Sequence, residues 1–303
     1  MRTRAITVSS ELAGRSVESL LKGELLISDS LIARLKRREA GICLNGSRAY
    51  TTARVAEGDY LEAEIGDFPV KRPEPMACPL SIVWEDEDLL VIDKPAGIFV
   101  HSSTRCIGEL TLENAIAAYL PPEDGLHPVS RLDKGTTGLM IWAKNGYLHE
   151  LFRRQLNTEG FQKTYLAIAV GEVNKDAGHI HLQIGFEEGS CYKRAVREGG
   201  QNAHSEFCVL GRGGGYTLLR LIPHTGRSHQ LRLHMAAVGY PLVGDWLYGS
   251  ESEAITRPAL HSSELSFTHP VTGRSIQLRA GLPDDMASVL VALGITRQGQ
   301  LDL

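Results

Sequence analysis

Residues 128–140 read PVSRLDKGTTGLM, a charged cluster that runs directly into an apolar segment. Arg131 and Asp133 are two positions apart, so in extended backbone their side chains point to the same side. The spacing therefore predicts a carboxylate beside a guanidinium. Gly138 allows a tight change of backbone direction, which suits the start of a strand over 138–143. By itself, the stretch also fits an ordinary surface turn that carries an ion pair.

Several later segments carry further groups that a reaction could use, and together they argue against an ordinary turn. On a strand that begins near Lys163, the side chains of Lys163 and Tyr165 share a face, which brings a phenol next to a cation. Residues 223–234, PHTGRSHQLRLH, crowd hydrogen-bond donors into a loop and the start of a helix. Further polar residues occur in Gly244-Asp245, in Leu260-His261 and in residues 267–270, FTHP.

The region from residue 81 to residue 292 contains more strand patterns than helix patterns, and the two do not alternate regularly. Strands are predicted at 138–143, 165–170, 179–184, 206–210 and 216–221, and helices at 112–120, 147–155 and 230–238. This order favours an α+β fold built on a sheet over a doubly wound parallel fold. We therefore expect one catalytic domain over 81–292, followed by a frayed polar tail over 293–303.

The first part of the chain has the pattern of a small separate domain over residues 10–66. Apolar residues at helical spacing predict two short helices, the second ending at Gly41, and Asn45-Gly46 is a strong hairpin-turn signal. The outer face of the second helix carries Arg34, Lys36, Arg37 and Arg38. Two helices and a hairpin with a basic face resemble the alpha-L RNA-binding domain, which implies that these four residues bind RNA. A solvated helix face is the alternative interpretation.

A proline-rich stretch separates this small domain from the catalytic region. Residues 67–80 contain four prolines, which prevent helix and central strand formation. We therefore expect this stretch to be a linker between two domains.

The bulk composition limits the classes of function. A formal net charge of −4 argues against a protein that coats nucleic acid indiscriminately, so any RNA site must be a local basic patch. The five cysteines are scattered without a Cys-x-x-Cys pair, which favours reduced thiols over a zinc or redox site. No apolar run approaches the roughly 20 residues that span a bilayer, and no secretory signal is evident. These features predict a cytoplasmic protein without a membrane partner.

From about Ser81 to Leu282 the chain resembles the RluA family of pseudouridine synthases, which isomerise uridine to pseudouridine in RNA. The matching motifs, in family order, are Asp93-Lys94-Pro95-Ala96-Gly97, Arg131-Leu132-Asp133, Lys163 to Ala167, Thr225 to Arg232, Gly244-Asp245 and Leu260 to Pro270. The resemblance implies an α+β catalytic fold with a large, mainly antiparallel mixed sheet flanked by helices and loops. It also implies that Asp133 is the essential aspartate, Tyr165 the active-site tyrosine and Arg227 the arginine paired with the aspartate.

A nucleophilic role for Asp133 is chemically reasonable. A carboxyl group with an ordinary pKa of about 3.9 is ionised at neutral pH, so it can attack without a separate activating base. Attack on the anomeric carbon, formation of a glycal and attack on ring carbon six all remain open. Tyr165 is the candidate base for the last proton, but an ordinary phenol with a pKa of about 10 is a poor base at neutral pH. Stacking on the uracil is therefore the alternative role of Tyr165.

A uridine within folded RNA must leave its stack before it can react, at a cost of about a few kcal/mol. The residues expected to contact the flipped nucleotide and its flanking phosphates are Arg131, Lys163, His229, Leu231 and Arg232. A purely structural role is the alternative for each of them. Large-subunit ribosomal RNA is the expected partner by family analogy, transfer RNA is the alternative, and we expect a monomer. Ser130 replaces the family's usual histidine, which puts an RNA contact at that position in doubt.

No metal and no cofactor are expected from the sequence. His229 and His234 are five positions apart on a predicted helix, which turns them away from each other, unlike an i, i+4 zinc pair. Two other classes of function were weighed. A catalytically silent RNA-binding protein would be favoured if Asp133, Tyr165 or Arg227 were missing, and a hydrolase would be favoured by a metal-ligand cluster near Asp133. The residues needed for the isomerase are all present.

Overall fold

The computed structural model describes residues 2–67, 72–102, 108–156 and 158–297. Parts of the predicted linker and of the predicted tail, residues 68–71 and 298–303, lie outside these ranges. The N-terminal elements are β1 (Thr3–Thr7), α1 (Val17–Gly23), α2 (Asp29–Leu35), β2 (Ile42–Leu44), β3 (Ser47–Arg48) and β4 (Tyr60–Glu64). They form a four-stranded sheet in the order β1-β4-β2-β3, with the two helices alongside.

Two features of this small unit differ from the sequence-based prediction. Strand β1 pairs with β4, so the unit includes residues before position 10. Helix α2 ends at Leu35 rather than at Gly41. The chain folds back so tightly that a Cβ atom on Gly41 would lie 2.3 Å from the Leu35 carbonyl oxygen. Of the four predicted basic residues, only Arg34 therefore lies within the helix, and the other three follow its end.

The second group of elements forms one large sheet with four helices beside it. In chain order the elements are β5 (Ser81–Glu85), β6 (Leu89–Lys94), α3 (Leu112–Tyr119), β7 (His127–Pro128), β8 (Thr137–Ala143), α4 (Gly146–Gln155), β9 (Phe161–Val170), β10 (Ala177–Phe186), β11 (Arg194–Val196), β12 (Gln201–Gly213), β13 (Tyr216–Pro223), α5 (Gln230–Ala237), β14 (Leu260–Thr268), β15 (Ser275–Arg279), α6 (Asp284–Ala292) and β16 (Thr296–Arg297).

The strand order of this large sheet is β11-β10-β12-β13-β9-β14-β8-β6-β5, with β7, β15 and β16 pairing at its sides. Among the described strands, only β14 and β8 pair in parallel, while the other neighbours are antiparallel. The predicted α+β class with a large, mainly antiparallel mixed sheet is thereby confirmed. The predicted strands and helices match observed ones, but the observed strands extend beyond the predicted bounds.

The small unit packs directly against the large one. A single apolar core joins Leu20, Leu21 and Leu31 of the small unit to Leu148 and Phe152 of α4. Burying such side chains stabilises the contact by about 1.5–3 kcal/mol each. The predicted linker is also anchored, since Asp67 accepts hydrogen bonds from the His127 ring and the Gly146 backbone, and Arg72 donates to carbonyls at the end of α3. The two units are therefore held in a defined arrangement.

Close approach of β8 to β14 brings the segment after Asp133 next to the strand that neighbours Tyr165. Gly138 has a φ of 108°, and a Cβ atom there would lie 2.3 Å from the Ser262 carbonyl oxygen. Only glycine fits this backbone at this distance. Along the other edge of β8, Leu90 and Ile92 of β6 pair with Trp142 and Met140 and complete a fully buried layer. None of the described helices is long and apolar enough to cross a membrane.

Candidate active site

The loop that carries Asp133 is held by a buried lysine. Lys94, at the end of β6, is fully buried, and its Nζ donates to the carbonyl oxygens of Pro95 at 2.8 Å, Thr136 at 3.0 Å and Lys134 at 3.2 Å. Burial lowers the pKa of this ammonium group to about 8, and the charge of Asp133 opposes that shift. Three carbonyl acceptors use all three donors of the ammonium group. Lys94 thus fixes the backbone that directly follows Asp133.

The guanidinium partner of Asp133 is Arg232 of α5. Arg232 Nη1 donates to Asp133 Oδ2 at 3.1 Å, and its Nε and Nη2 donate to the two oxygens of Asp245 at 2.7 Å each. The exposed side-chain fractions are 30% for Asp133, 6% for Arg232 and 0% for Asp245. Burial opposes the charge on Arg232, but the hydrogen bonds and charges of Asp245 and Asp133 raise its pKa. The Asp133 carboxylate is therefore partly exposed on one side, and on the other it is held by the buried ion pair of Arg232 and Asp245.

Asp245 is fixed by its own backbone surroundings. Its Oδ1 also accepts from the backbone N–H groups of Leu247 at 3.2 Å and Tyr248 at 3.3 Å. The preceding Gly244 has a φ of 70°, and a Cβ atom there would lie 2.4 Å from two carbonyl oxygens. The turn that delivers Asp245 to Arg232 therefore requires glycine.

A histidine and a second tyrosine complete the surroundings of Asp133. His229 Nε2 lies 3.9 Å from Asp133 Oδ1, and His229 Nδ1 is hydrogen-bonded to the Tyr248 hydroxyl at 2.8 Å. The Tyr248 hydroxyl also accepts from the Arg194 backbone N–H at 3.0 Å, and its ring lies 5.2 Å from the Arg232 guanidinium carbon. His229 has a φ of 58°, a strained backbone conformation for a residue with a side chain. Burial lowers the pKa of His229, which favours the neutral ring.

Tyr165 lies on β9 with its side chain buried in the core that also contains Leu231. Burial raises the pKa of the Tyr165 phenol well above its usual range, the charge of Asp133 acts in the same direction, and a hydrogen bond with Ser262 opposes it. Lys163 occupies the same face of β9, two residues earlier, and burial lowers the pKa of its ammonium group to about 8. The predicted phenol and cation thus share one face, and the phenol is protonated at neutral pH.

The two arginines predicted to accompany Asp133 do not pair with it. Arg227 is exposed, and its Nε donates to the Asn202 carbonyl oxygen at 3.2 Å. Arg131 is exposed too. The pKa of His101 is lowered mainly by burial and to a smaller extent by the charge of Arg131. Arg232 takes the place expected for Arg227, because the helix that follows the loop turns position 232 inward and leaves position 227 on the outer loop. The alternation that aligned Arg131 with Asp133 requires extended backbone, and this segment is a loop.

Lys94 and Asp245 lie in recognised sequence motifs, but no role was predicted for either residue. Tyr248 was not predicted as a site residue. The sequence did carry a signal for the first two residues: Lys94 precedes a proline and Asp245 follows a glycine, and each is a charged residue in a mainly apolar segment. Of the other predicted substrate contacts, Leu231 is buried in the same core as Tyr165.

Two of the basic residues after α2, Lys36 and Arg38, line a surface groove of about 300 Å³ on the small unit. Its charged lining residues are Lys36, Arg38 and Arg48, and Tyr50 beside them is 79% exposed. Arg38 is engaged with Glu64, while Arg34 and Arg37 do not line the groove. Cations next to an exposed aromatic ring are the combination that binds phosphates and unstacked bases.

Comparison with known proteins gives consistent matches. A family model described as RNA pseudouridylate synthase matches residues 88–237, which include Asp133, Tyr165 and Arg232. The uncharacterized RNA pseudouridine synthase YlyB of Bacillus subtilis is 34% identical over 269 residues, which cover 84% of this chain and 86% of that protein. Ribosomal large subunit pseudouridine synthase D of Pseudomonas aeruginosa is 38% identical over 238 residues, which cover 72% of this chain and 73% of that protein.

The same fold occurs in a solved structure. Human RNA Pseudouridylate Synthase Domain Containing 4 superposes with a TM-score of 0.59 at 24% sequence identity, over 72% of this chain and 95% of that one. At this identity the likeness concerns the fold. The large sheet described above is therefore an architecture already known from a solved protein.

Proposed function

Because the chain belongs to the RluA family of RNA pseudouridine synthases, we propose that it modifies uridines of large-subunit ribosomal RNA and that Asp133 is its nucleophile. The enzyme is an isomerase: the bond from ribose to uracil nitrogen breaks, the base turns, and a carbon–carbon bond forms. Atoms and electrons balance within the nucleotide. The relatives named ribosomal large subunit pseudouridine synthase D support the choice of ribosomal RNA.

The contact between Arg232 and Asp133 is the single observation that carries the proposal for Asp133. A guanidinium at 3.1 Å stabilises the ionised carboxylate, and Arg232 cannot act as an acid because arginine keeps its proton. Asp133 Oδ1 lies 3.9 Å from the nearest His229 nitrogen, so this oxygen has room to meet the substrate. Attack on the anomeric carbon and formation of a glycal both begin from an ionised carboxylate.

We assign Tyr165 to packing against the uracil and to orienting it by its hydroxyl. Its raised pKa keeps the phenol protonated at neutral pH, so it is a donor rather than a ready base. Its ring lies in the same core as Leu231, which supplies an apolar wall beside it. An aromatic ring and an aliphatic side chain suit a base that has left its stack.

The predicted nucleotide contacts divide by their exposure. Arg131 and Arg227 are exposed near the site, so we assign them to the flanking phosphates. We assign the half-buried Lys163 of β9 to the same task. Arg232 is hydrogen-bonded to two carboxylates and only 6% of its side chain is exposed, so it does not present its charge to a phosphate. Its role is to hold Asp133.

We assign the small unit to RNA affinity rather than to chemistry. Its groove presents Lys36 and Arg48 beside the exposed Tyr50 ring, and its core is continuous with α4 of the catalytic unit. An RNA strand held in this groove is thereby kept at a fixed position relative to Asp133. A local basic groove also agrees with a chain whose formal net charge is −4.

The test of this proposal compares two RNA substrates and one matched variant. The purified full-length chain is incubated with large-subunit ribosomal RNA transcript and with transfer RNA, and pseudouridine is mapped by carbodiimide treatment and reverse-transcription stops. We expect stops in the ribosomal transcript, and none with Asp133→Asn, which should still bind RNA. Modification of transfer RNA alone would overturn the ribosomal assignment, and modification by Asp133→Asn would overturn the nucleophile.

A further inference from the structure

A cluster of histidines lies on the sheet surface formed by β10, β12 and the residue that follows β13. His179 and His181 alternate on β10, His204 lies on β12, and His224 comes directly after β13. The antiparallel register pairs His181 with His204. The His224 backbone N–H donates to the His204 carbonyl oxygen at 3.0 Å, which fixes the third segment against the second. Because side chains two apart share a face of a strand, this register gathers the rings on one side of the sheet.

The ring nitrogens of three of these histidines converge. His179 Nδ1 and His204 Nε2 are 3.0 Å apart, and one nitrogen from each of His179, His204 and His224 lies within 4.8 Å of the other two. Two imidazole nitrogens bound to one tetrahedral zinc ion, at about 2.0–2.1 Å each, are roughly 3.3 Å apart. The first pair is already at that spacing. His224 stacks on His204 with ring centroids 4.2 Å apart, so binding requires the His224 ring to turn out of this stack, which its exposed side chain allows.

We propose that His179, His204 and His224 form a binding site for a late first-row divalent metal ion, with Zn²⁺ as the leading candidate and a water molecule in the fourth position. Imidazole is a preferred ligand of these ions, whereas Mg²⁺ and Ca²⁺ prefer oxygen ligands. Glu206 supports the site, since its Oε2 lies 3.3 Å from His224 Nε2. A carboxylate that holds one nitrogen of a histidine orients the other toward a metal.

The site was not visible in the sequence because its three ligands come from three segments of the chain. His229 directly precedes α5 and His234 lies within it, and their spacing in the sequence did not indicate a metal site. The converging nitrogens instead belong to residues that strand pairing brings together. The cluster is also separate from the groups that hold Asp133. One hydrogen bond links the cluster to α5, the helix that carries Arg232: Gln230 Nε2 donates to the His204 carbonyl oxygen at 2.9 Å. We assign no step of the isomerisation to the ion.

The test measures metal binding directly and uses the full-length chain without a histidine affinity tag. After dialysis against a chelator and then against buffer, the protein is equilibrated with Zn²⁺ and the bound metal is counted by mass spectrometry and titration calorimetry. We expect one Zn²⁺ per chain, retained in excess Mg²⁺. Replacement by Co²⁺ should give the visible ligand-field absorption of a nitrogen-ligated ion. Failure to retain Zn²⁺ in one-to-one ratio would overturn the proposal.

Matched variants distinguish this site from other sources of binding. His179→Ala and His224→Gln should each weaken Zn²⁺ affinity about tenfold or more. His181→Gln is the control, because His181 stacks on His204 with ring centroids 4.0 Å apart but is outside the converging group. Circular dichroism checks that each variant is folded. An equal loss of Zn²⁺ affinity in the control and in the ligand variants would overturn the site. Zn²⁺ binding that is unchanged in His179→Ala would also overturn it and would point to the group of Asp86, Asp88 and His269 instead.

Discussion

Arg232 reaches Asp133 with one nitrogen, 3.1 Å from Oδ2, while its two other nitrogens are bound to a second carboxylate. The buried Asp245 therefore fixes the guanidinium, and the guanidinium in turn fixes the exposed carboxylate of Asp133. A rigid fork of donors suits this arrangement, because one planar group serves two acceptors in set directions. The position of Asp133 is thus decided by a residue 112 places later in the chain.

Replacing Arg232 should cost both stability and turnover. Arg232→Gln leaves the buried Asp245 without a cation, which we expect to lower the free energy of unfolding by about 3–5 kcal/mol. A displaced Asp133 should lower turnover about 100-fold in the fraction that remains folded. Urea unfolding and release of tritium from RNA labelled at uracil carbon five measure the two effects. Arg227→Gln is the matched control and should raise KM with little change in stability, since Arg227 is exposed; the reverse pattern would contradict the assignment of Arg232.

Tyr248 should act on the reaction through His229. Tyr248→Phe removes the hydroxyl that bonds His229 Nδ1 and accepts from the Arg194 backbone, so we expect a loss of about 1 kcal/mol in stability. With its ring no longer held, His229 should lose its place beside Asp133, which lowers turnover more than RNA affinity. Tyr60→Phe, on the small unit, is the control and should leave turnover unchanged. Equal turnover in the two variants would remove Tyr248 from the positioning of His229.

Gly138 should not tolerate even a methyl group. In Gly138→Ala the new Cβ atom would meet the Ser262 backbone at 2.3–2.7 Å, and the φ of 108° is unfavourable for alanine. We expect the parallel pairing of β8 with β14 to open. The backbone strain alone should lower the free energy of unfolding by about 1–3 kcal/mol, the steric clash should lower it further, and turnover should fall. Gly226→Ala is the control, because no atom lies within 4 Å of a Cβ atom there. A Gly138→Ala chain with the melting temperature of Gly226→Ala would be inconsistent with this close approach.

Acid should destabilise the protein through two buried histidines. Burial lowers the pKa of His234 and of His261 to about 4 each, from 6.5 in the unfolded chain. The unfolded state therefore binds more protons between pH 6.5 and pH 4, and the free energy of unfolding falls as pH falls through this window. Each group contributes on the order of 3 kcal/mol, fully present above pH 6.5. His234→Leu removes two buried nitrogens that have no hydrogen-bond partner among the described residues, and it should reduce the proton uptake of unfolding by one.

This pH effect is checked by urea unfolding at several pH values between 4 and 7. The slope of the free energy of unfolding against pH gives the number of protons taken up. Unchanged slopes in His234→Leu would mean that His234 is already charged in the folded protein.

Neutralising the groove of the small unit should change the salt dependence of RNA binding. For Lys36→Gln combined with Arg48→Gln we expect weaker binding and a slope of log affinity against log salt that is smaller by about 0.7–0.9 for each lost phosphate contact. Point variants are preferable to removal of residues 1–70, because truncation would expose the core shared with α4. Arg153→Gln, 66% exposed and paired with Glu150, is the control. An unchanged slope in the double variant would return these residues to an ordinary solvated surface.

Local sequence was sufficient for most of the helices and strands and for the family resemblance that singles out Asp133. Apolar periodicity is a property of neighbouring residues, so strands such as 138–143 and helices such as 147–155 were predicted close to their observed bounds. The motif around Asp133 was recognisable for the same reason. The end of α2 was placed too late, because the chain leaves the helix after Leu35 and turns back until Gly41 lies against the Leu35 carbonyl oxygen.

The partners of Asp133 and the histidine cluster were decided only by the tertiary structure. A hydrogen bond depends on distance and direction, which are set by how distant segments pack and not by their spacing along the chain. Arg227 and Arg232 have the same chemistry and lie in one motif, and only the turn of α5 decides that Arg232 faces Asp133. His179, His204 and His224 are likewise far apart in sequence. The registers of β10 with β12 and of β12 with β13, which the buried face of the sheet fixes, bring their rings together.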